Sequence, residues 1–214
     1  MKIVAISDTH AQHRALTVPS GDVLIHAGDI THQGEISIFE DFLLWFSKHP
    51  HPYKIFIGGN HDFNLVPHHS NYERSKQLIS KHDIIYLHHE SCTISKLNIF
   101  GSPYTPAFNG WAFNVEPPRL PLYWDAIPAC TDILITHGPC RDRLDLTADN
   151  RSCGDDALLK KVQTLNLKLH IFGHIHRNEN QPQIKKENNL TYVNASVLDE
   201  LYMMKNEPVV INLV

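Results

Sequence analysis

Five apolar, strand-like runs in this chain each end in side chains of metal-ligand type, and that recurrence limits the folds open to it. Residues 2–7 lead into Asp8-Thr9-His10, residues 22–27 into Gly28-Asp29, and residues 53–58 into Gly59-Asn60-His61-Asp62. Residues 131–135 lead into Thr136-His137-Gly138, and residues 168–172 into Gly173-His174-Ile175-His176. Carboxylates, imidazoles and one amide gathered at strand ends suit a pair of hard-to-borderline divalent cations. Strand ends are also where open α/β sheets build their sites. Singly, Asp8 reads as a helix cap, Asn60 as a turn residue and Gly173 as a tight bend. Jointly these readings fail, because nothing structural demands ligand-type residues at five successive strand ends.

Around the motifs the hydrophobic period alternates. Residues 35–47 place Ile36, Phe39, Phe42, Leu43 and Phe46 on one helix face, and Pro50 and Pro52 end that segment. A weaker helical pattern covers 71–81, and short strands are expected at 84–87, 92–95 and 97–101. A polar loop follows His137 as far as Gly154. Beyond it come a helix from Asp155 to about Leu165 and strands at 190–194 and 208–213. Alternating strands and helices, then successive strands, support an α/β or α+β class. With no repeat, low-complexity segment or long linker, one domain over residues 1–214 is the simplest division.

Composition excludes several functions. Hydrophobic residues make up 42% and charged residues 20%, which is globular rather than disordered. A net charge of −4 gives no general basic field, so a long nucleic acid is not an expected partner. The start of the chain lacks the pattern of a signal peptide, and no apolar run approaches the ~20 residues that span a bilayer. A cytoplasmic protein without membrane contact is therefore expected. The four cysteines lack C-x-x-C spacing, which reads as reduced, mostly buried thiols. Among sixteen histidines, His49, His51, His68, His69, His82, His88 and His89 follow no ligand spacing and are read as loop or surface residues. His26 falls inside an apolar strand pattern and reads as packed core.

The order D-x-H, G-D-x4-G, G-N-H-D, H, G-H-x-H, from residue 8 to 176, resembles the calcineurin-like metallophosphoesterase superfamily. The stretch 102–113 and Asn194-Ala195-Ser196 narrow the resemblance to the metallophosphoesterase-domain proteins first noted in brain and their bacterial relatives. Those are similar to the class III cyclic-nucleotide phosphodiesterases. The implied fold is a four-layer α/β/β/α sandwich of two mixed β-sheets flanked by helices. The implied cofactors are two divalent metal ions, Mn²⁺ ahead of Fe or Zn. Carried over, Asp8, His10, Asp29 and His176 hold the first ion, while Asn60, His137, His174 and Asp29 hold the second. Asp29 is thus the bridging ligand. Some members of the group carry Gly at the position of His174; here the ligand is present. An extended His174-Ile175-His176 would put both rings on one side and Ile175 in the core.

What the resemblance implies chemically is hydrolysis of a phosphoester by a hydroxide bridging the metals, with His61 as general acid. Two such cations against Asp8, Asp29 and that hydroxide leave a centre of about +1, able to attract a phosphate. A small nucleotide or cyclic nucleotide is the expected substrate. Asp62 either orients the His61 imidazole or caps the following segment. Asn109 and Trp111 lie in the stretch that marks the subgroup, where an indole either stacks on a nucleobase or simply packs. Arg141, with Arg143, follows His137 closely and either pairs with a phosphate oxygen or stays solvated. Two alternatives stay open: a phosphomonoesterase, including a protein phosphatase, and a non-catalytic scaffold on the same fold.

Overall fold

The computed structural model describes residues 1–176 and 181–213. In chain order the first half holds β1 (Lys2–Ile6), β2 (Val23–His26), α1 (Ile36–Ser47), β3 (Tyr53–Phe56), α2 (Tyr72–Ile79) and β4 (Ile85–Tyr86). Next come β5 (Glu90–Ile94), β6 (Leu97–Ser102), β7 (Thr105–Pro106), β8 (Asn114–Val115), α3 (Leu120–Asp125) and β9 (Ile133–Thr136). The remainder is α4 (Asp156–Val162), β10 (Leu169–Phe172), β11 (Ile184–Glu187), β12 (Leu190–Asn194) and β13 (Val209–Asn212). One sheet has the order β13-β1-β2-β3-β4 and the other β11-β12-β10-β9-β6-β5. Each has a parallel centre with an antiparallel strand at an edge, β13 in the first and β11 and β5 in the second.

Strand alternation decides the layers. Ile3, Ala5, Val23, Ile25 and Ile55 of the first sheet face Ile99, Ile133, Ile135, Leu169, Ile171 and Val193 of the second. The residues between them, Val4, Ile6, Leu24 and Phe56, point outward onto Phe39, Phe42, Leu43 and Phe46 of α1. On the far side Phe100, Leu134, Phe172 and Tyr192 pack on Leu120, Trp124, Leu158 and Val162 of α3 and α4. The result is an α/β/β/α sandwich. The central strands are apolar on both faces because both faces are covered, and each large side chain so buried contributes about 1.5–3 kcal/mol.

Several boundaries differ from the sequence reading. α2 is shorter than 71–81, and α4 ends at Val162 rather than near Leu165. Asp155 lies outside α4 as its cap, its carboxylate accepting from the Ala157 amide at 2.8 Å and the Trp124 indole at 2.5 Å. α3 escaped notice because Pro117, Pro118 and Pro121 read as loop, yet proline is well tolerated in a first helical turn. β11 escaped because its Ile-Lys-Lys-Glu is polar, as an exposed edge strand should be. All four cysteines are free, but only Cys140 is buried; Cys130 and Cys153 are exposed. His51 is not a surface residue either: it is buried, with Nε2–H donating to the Pro19 carbonyl. Among the described residues no helix is long and apolar enough to cross a membrane.

Beyond β12 the chain passes from one sheet to the other and ties their carboxyl ends together. The Ala195 amide donates to the Phe172 carbonyl at 2.7 Å and the Val197 amide to the Ser7 carbonyl at 3.1 Å. Asn194 Nδ2 donates to the Ile175 carbonyl at 2.9 Å, and its Oδ1 accepts from the Ser196 amide at 3.0 Å. Asn194-Ala195-Ser196 is therefore a seam beneath the strand ends where the five motifs meet.

Candidate metal centre

Asp8 follows β1, Asp29 follows β2, Asn60 follows β3, His137 follows β9, and His174 and His176 follow β10. Parallel pairing within each sheet brings these ends to one edge of the sandwich. Three overlapping clusters result: Asp8 with His10 and His176, His10 with Asp29 and His61, and Asp29 with His137 and His174. In each, the ligand atoms lie within 4.8 Å of one another. Asp29 Oδ2 joins them, lying 3.6 Å from His10 Nε2 and 3.3 Å from His137 Nε2. Its other oxygen accepts the His61 amide at 2.8 Å, which fixes the carboxylate plane.

The imidazoles are aimed by their far nitrogens. Nδ1–H donates to the Thr31 carbonyl from His10 (3.1 Å), to Ala27 from His137 (2.9 Å) and to Asp199 from His176 (3.1 Å). That orients each ring and turns Nε2 toward the centre, where a bound cation would take it. His10 Nε2 and Asn60 Nδ2 are buried without a hydrogen-bond partner. A buried polar atom left in that state costs about 1–3 kcal/mol, a cost that a cation on the His10 Nε2 lone pair would remove. A sulfur-free set of imidazole, carboxylate and amide fits divalent Mn, Fe or Zn.

The charge pattern points the same way. Burial pushes the Asp8 carboxyl up, but the hydrogen bond and charge of His176 outweigh it and hold it at about 2. Burial likewise opposes the charged forms of Asp29 and His137, yet their mutual attraction holds Asp29 well below the usual range and lifts His137 to about 9. Burial depresses His10 and His174 to about 4, leaving both neutral, as a metal ligand must be. Protons on the neighbouring imidazoles thus balance carboxylates that cations otherwise would.

Backbone strain is present here. Asp8 (φ 54°), His10 (φ 36°), Asp29 (φ 59°) and His174 (φ 67°) all occupy the left-handed region, at a cost on the order of 1–3 kcal/mol each. Two glycines make room: a Cβ on Gly59 would overlap Asp29, and one on Gly173 would overlap Asp8 Oδ2 and Ser7 Oγ. The Gly-His-x-His segment is not extended as the sequence suggested. The Ile175 amide donates to the Gly173 carbonyl at 2.7 Å, closing a γ-turn about His174. The two rings accordingly serve different clusters, while Ile175 is buried.

A cavity of about 340 Å³ opens over the centre, with Asp29, Asn60, His61, Trp111, His174 and His176 in its wall. His61 Nδ1–H donates to the His32 carbonyl at 2.6 Å, which leaves Nε2 unused. The Trp111 ring lies 4.9 Å from the His61 ring. Its loop is tied to the centre by the Ala112 amide, which donates to the Asn60 carbonyl at 3.0 Å.

Three expected site residues make other contacts. The Asp62 carboxylate neither orients His61 nor caps the segment after it. It accepts from the amides of Ile30, Thr31 and Gly59 and from the Thr31 hydroxyl, all within 3.2 Å, and so braces the turn that presents Asp29. Burial and the Asp29 charge raise its carboxyl to about 6. Asn109 sits on an exposed turn (φ 52°) facing a separate groove with Arg119 and Tyr123. Arg141 pairs with Asp156 at 3.2 Å and Ser152 Oγ at 2.9 Å, in a larger cleft of about 600 Å³ away from the metal ligands. Arg143 is occupied too, 2.7 Å from Glu187 and against the Tyr192 ring.

Sequence reasoning missed Thr31, Asp199, Arg151 and Tyr202. Thr31 and Asp199 hold His10 and His176 through backbone carbonyls, which carry no residue signature. Arg151 and Tyr202 reach the cavity from a loop and a hairpin outside the five motifs.

The profile of the family described as Calcineurin-like phosphoesterase matches residues 1–178. Metallophosphoesterase domain-containing protein 1 of Homo sapiens is 38% identical over 235 residues, spanning 99% of this chain and 71% of its own. A UPF0046 protein of Caenorhabditis elegans is 34% identical over 220 residues, spanning 98% of this chain and 74% of its own. Among solved structures, Phosphopantetheinyl Hydrolase from Mycobacterium tuberculosis superposes with a TM-score of 0.61 over 94% of this chain and 90% of that one. At 15% identity that likeness is one of fold.

Proposed function

The chain belongs to the calcineurin-like phosphoesterase family, and we propose that within it the protein is a two-metal phosphodiesterase acting on a small nucleotide or cyclic nucleotide. The observation that carries this reading is Asp29 Oδ2, placed between His10 Nε2 of one cluster and His137 Nε2 of the other. Asp8, His10, Asp29 and His176 would hold one divalent cation, and Asp29, Asn60, His137 and His174 the second. When bound, such a pair supplies an activated water and neutralises the phosphoryl oxygens.

The chain's own residues do the rest. Asp29 keeps its geometry because the His61 amide and the Asp62 brace hold the turn around it. His61, its Nδ1–H anchored on His32, carries a proton on Nε2 to the departing ester oxygen. Trp111 covers that side of the cavity and offers an aromatic face to the leaving group.

Charge at the rim favours diesters. Arg151 contributes a cation to the cavity wall, but it pairs with Asp149 at 2.8 Å, and Glu200 adds another carboxylate. A singly charged diester suits such a rim better than a monoester carrying nearly two charges. Paired kinetics on nitrophenyl monoesters and diesters and on cyclic nucleotides, with Mn²⁺, Fe²⁺ or Zn²⁺ in turn, test the reading. Higher kcat/KM on diesters supports it; a monoester preference makes the protein a phosphatase, and inactivity with every metal makes it a scaffold.

A further inference from the structure

A hairpin near the end of the chain reaches back over the centre. Leu198 bridges Met204, and within the turn Asp199 Oδ1 accepts the amides of Leu201 and Met203 at 2.9 Å each. The Asp199 carbonyl accepts both the Tyr202 amide and the His176 imidazole, so the turn and a metal ligand share one anchor. Gln12 Nε2, from the loop after the first motif, donates to the Tyr202 carbonyl at 3.0 Å. Tyr202 is held there in a left-handed conformation (φ 58°) that non-glycine residues rarely adopt. Its ring lies 4.9 Å from His10 and 4.8 Å from His176, half-exposed in the cavity wall. Its sequence neighbours Leu201 and Met203 are exposed and stand outside the cavity wall, so Tyr202 is the ring the turn contributes to it.

Trp111 stands at the other end of the same row of rings. From Trp111 to His61, His61 to His10 and His10 to Tyr202 the centroid separations are 4.9, 4.8 and 4.9 Å. The cavity therefore has two aromatic ends with the candidate metal ligands between them. A phosphomonoester has one organic substituent and needs one such end; a diester has two. The leaving group belongs beside His61, whose free Nε2 can protonate it, and hence on Trp111.

We propose that Tyr202 is the subsite for the substituent that stays on phosphorus, and that the substrate is a diester with an aromatic or apolar group on both ester oxygens. This rests on the phosphodiesterase reading and sharpens its substrate class.

Two inert ligands separate the ends: phenylphosphonate, with one aryl group, and diphenylphosphinate, with two. Calorimetric titration of the metal-loaded protein is expected to show diphenylphosphinate weakened about tenfold by Tyr202→Ala, the size of a lost stacking contact. Phenylphosphonate should change less than about twofold, and Tyr202→Phe should restore wild-type affinity. On bis-nitrophenyl phosphate the loss should fall on KM rather than kcat. Equal weakening of both ligands, no weakening of either, or loss of metal from Tyr202→Ala by elemental analysis would overturn the assignment. Should Tyr202→Ala unfold, Tyr202→Leu, which keeps bulk but not the ring, must give the same selective loss, and its absence overturns the proposal. Selective binding of diphenylphosphinate by a wild type that cleaves no diester would leave the subsite standing and remove the activity reading instead.

Discussion

The amide of His174 donates to both carboxylate oxygens of Asp8, each at 3.0 Å, joining the first metal-ligand motif to the last across 166 positions of sequence. With the Asn194–Ser196 seam, this contact closes the two sheets over a common centre. Gly173 permits it, because any Cβ there overlaps the Asp8 carboxylate. Gly173→Ala is expected to lower stability by about 1–3 kcal/mol and to release metal, measured by urea unfolding and elemental analysis. An alanine variant that keeps wild-type metal content would show that the contact is not needed.

Asp29→Ala removes the oxygen shared by the two clusters. Metal content should fall by at least one ion per chain, and the melting temperature of the metal-loaded protein should drop toward that of the chelator-treated wild type. Saturating metal contributes about 2.7 kcal/mol at a hundredfold excess over Kd, so the shift is measurable. Unchanged stoichiometry would sink the shared-ligand arrangement.

His61→Ala is expected to lower kcat about 10²–10⁴-fold on a poor leaving group and to leave both metals bound. On nitrophenolate, which leaves without help, the loss should be much smaller. A metal lost together with activity would instead class His61 as a ligand, as its place near His10 and Asp29 allows.

Arg141→Ala should leave kcat/KM within about twofold. Its guanidinium is committed to Asp156 at the protein surface, an arrangement worth about 0–1 kcal/mol. A tenfold loss of activity would return Arg141 to the substrate.

His170 gives a pH signature outside the centre. Burial depresses its imidazole from 6.5 to about 3, and its Nε2–H donates to Thr136 Oγ1 at 2.8 Å. Below pH 6.5 the unfolded chain takes up a proton that the folded chain refuses, so this contribution is complete above 6.5 and lost as pH falls toward 3. Between pH 7.5 and 5.5 the loss is about 1 kcal/mol. Urea midpoints for wild type should fall by correspondingly more than those of His170→Gln; equal shifts would refute the assignment.

The sequence by itself determined the candidate ligands and the α/β class, while the layers came with the family resemblance. Asp8, Asp29, Asn60, His137 and His176 are legible because each ends a strand-like run, and runs that are apolar throughout suit strands covered on both faces. Phe39, Phe42, Leu43 and Phe46 likewise announce α1 and its buried face. Only the tertiary structure decided how those residues are aimed. The left-handed turn at His174, the Asp62 brace on Ile30 and Thr31, and the carbonyls of Ala27, Thr31 and Asp199 all belong to backbone geometry. Backbone geometry has no residue code where non-glycine side chains are forced to positive φ. The same limit explains Asn109, Arg141 and Tyr202. The subgroup stretch put Asn109 beside the substrate and nearness to His137 put Arg141 there, whereas the fold turned both outward and brought Tyr202 in from a distant hairpin. Strand ends are fixed by local pattern, but which loops meet above them is set by the packing of the two sheets.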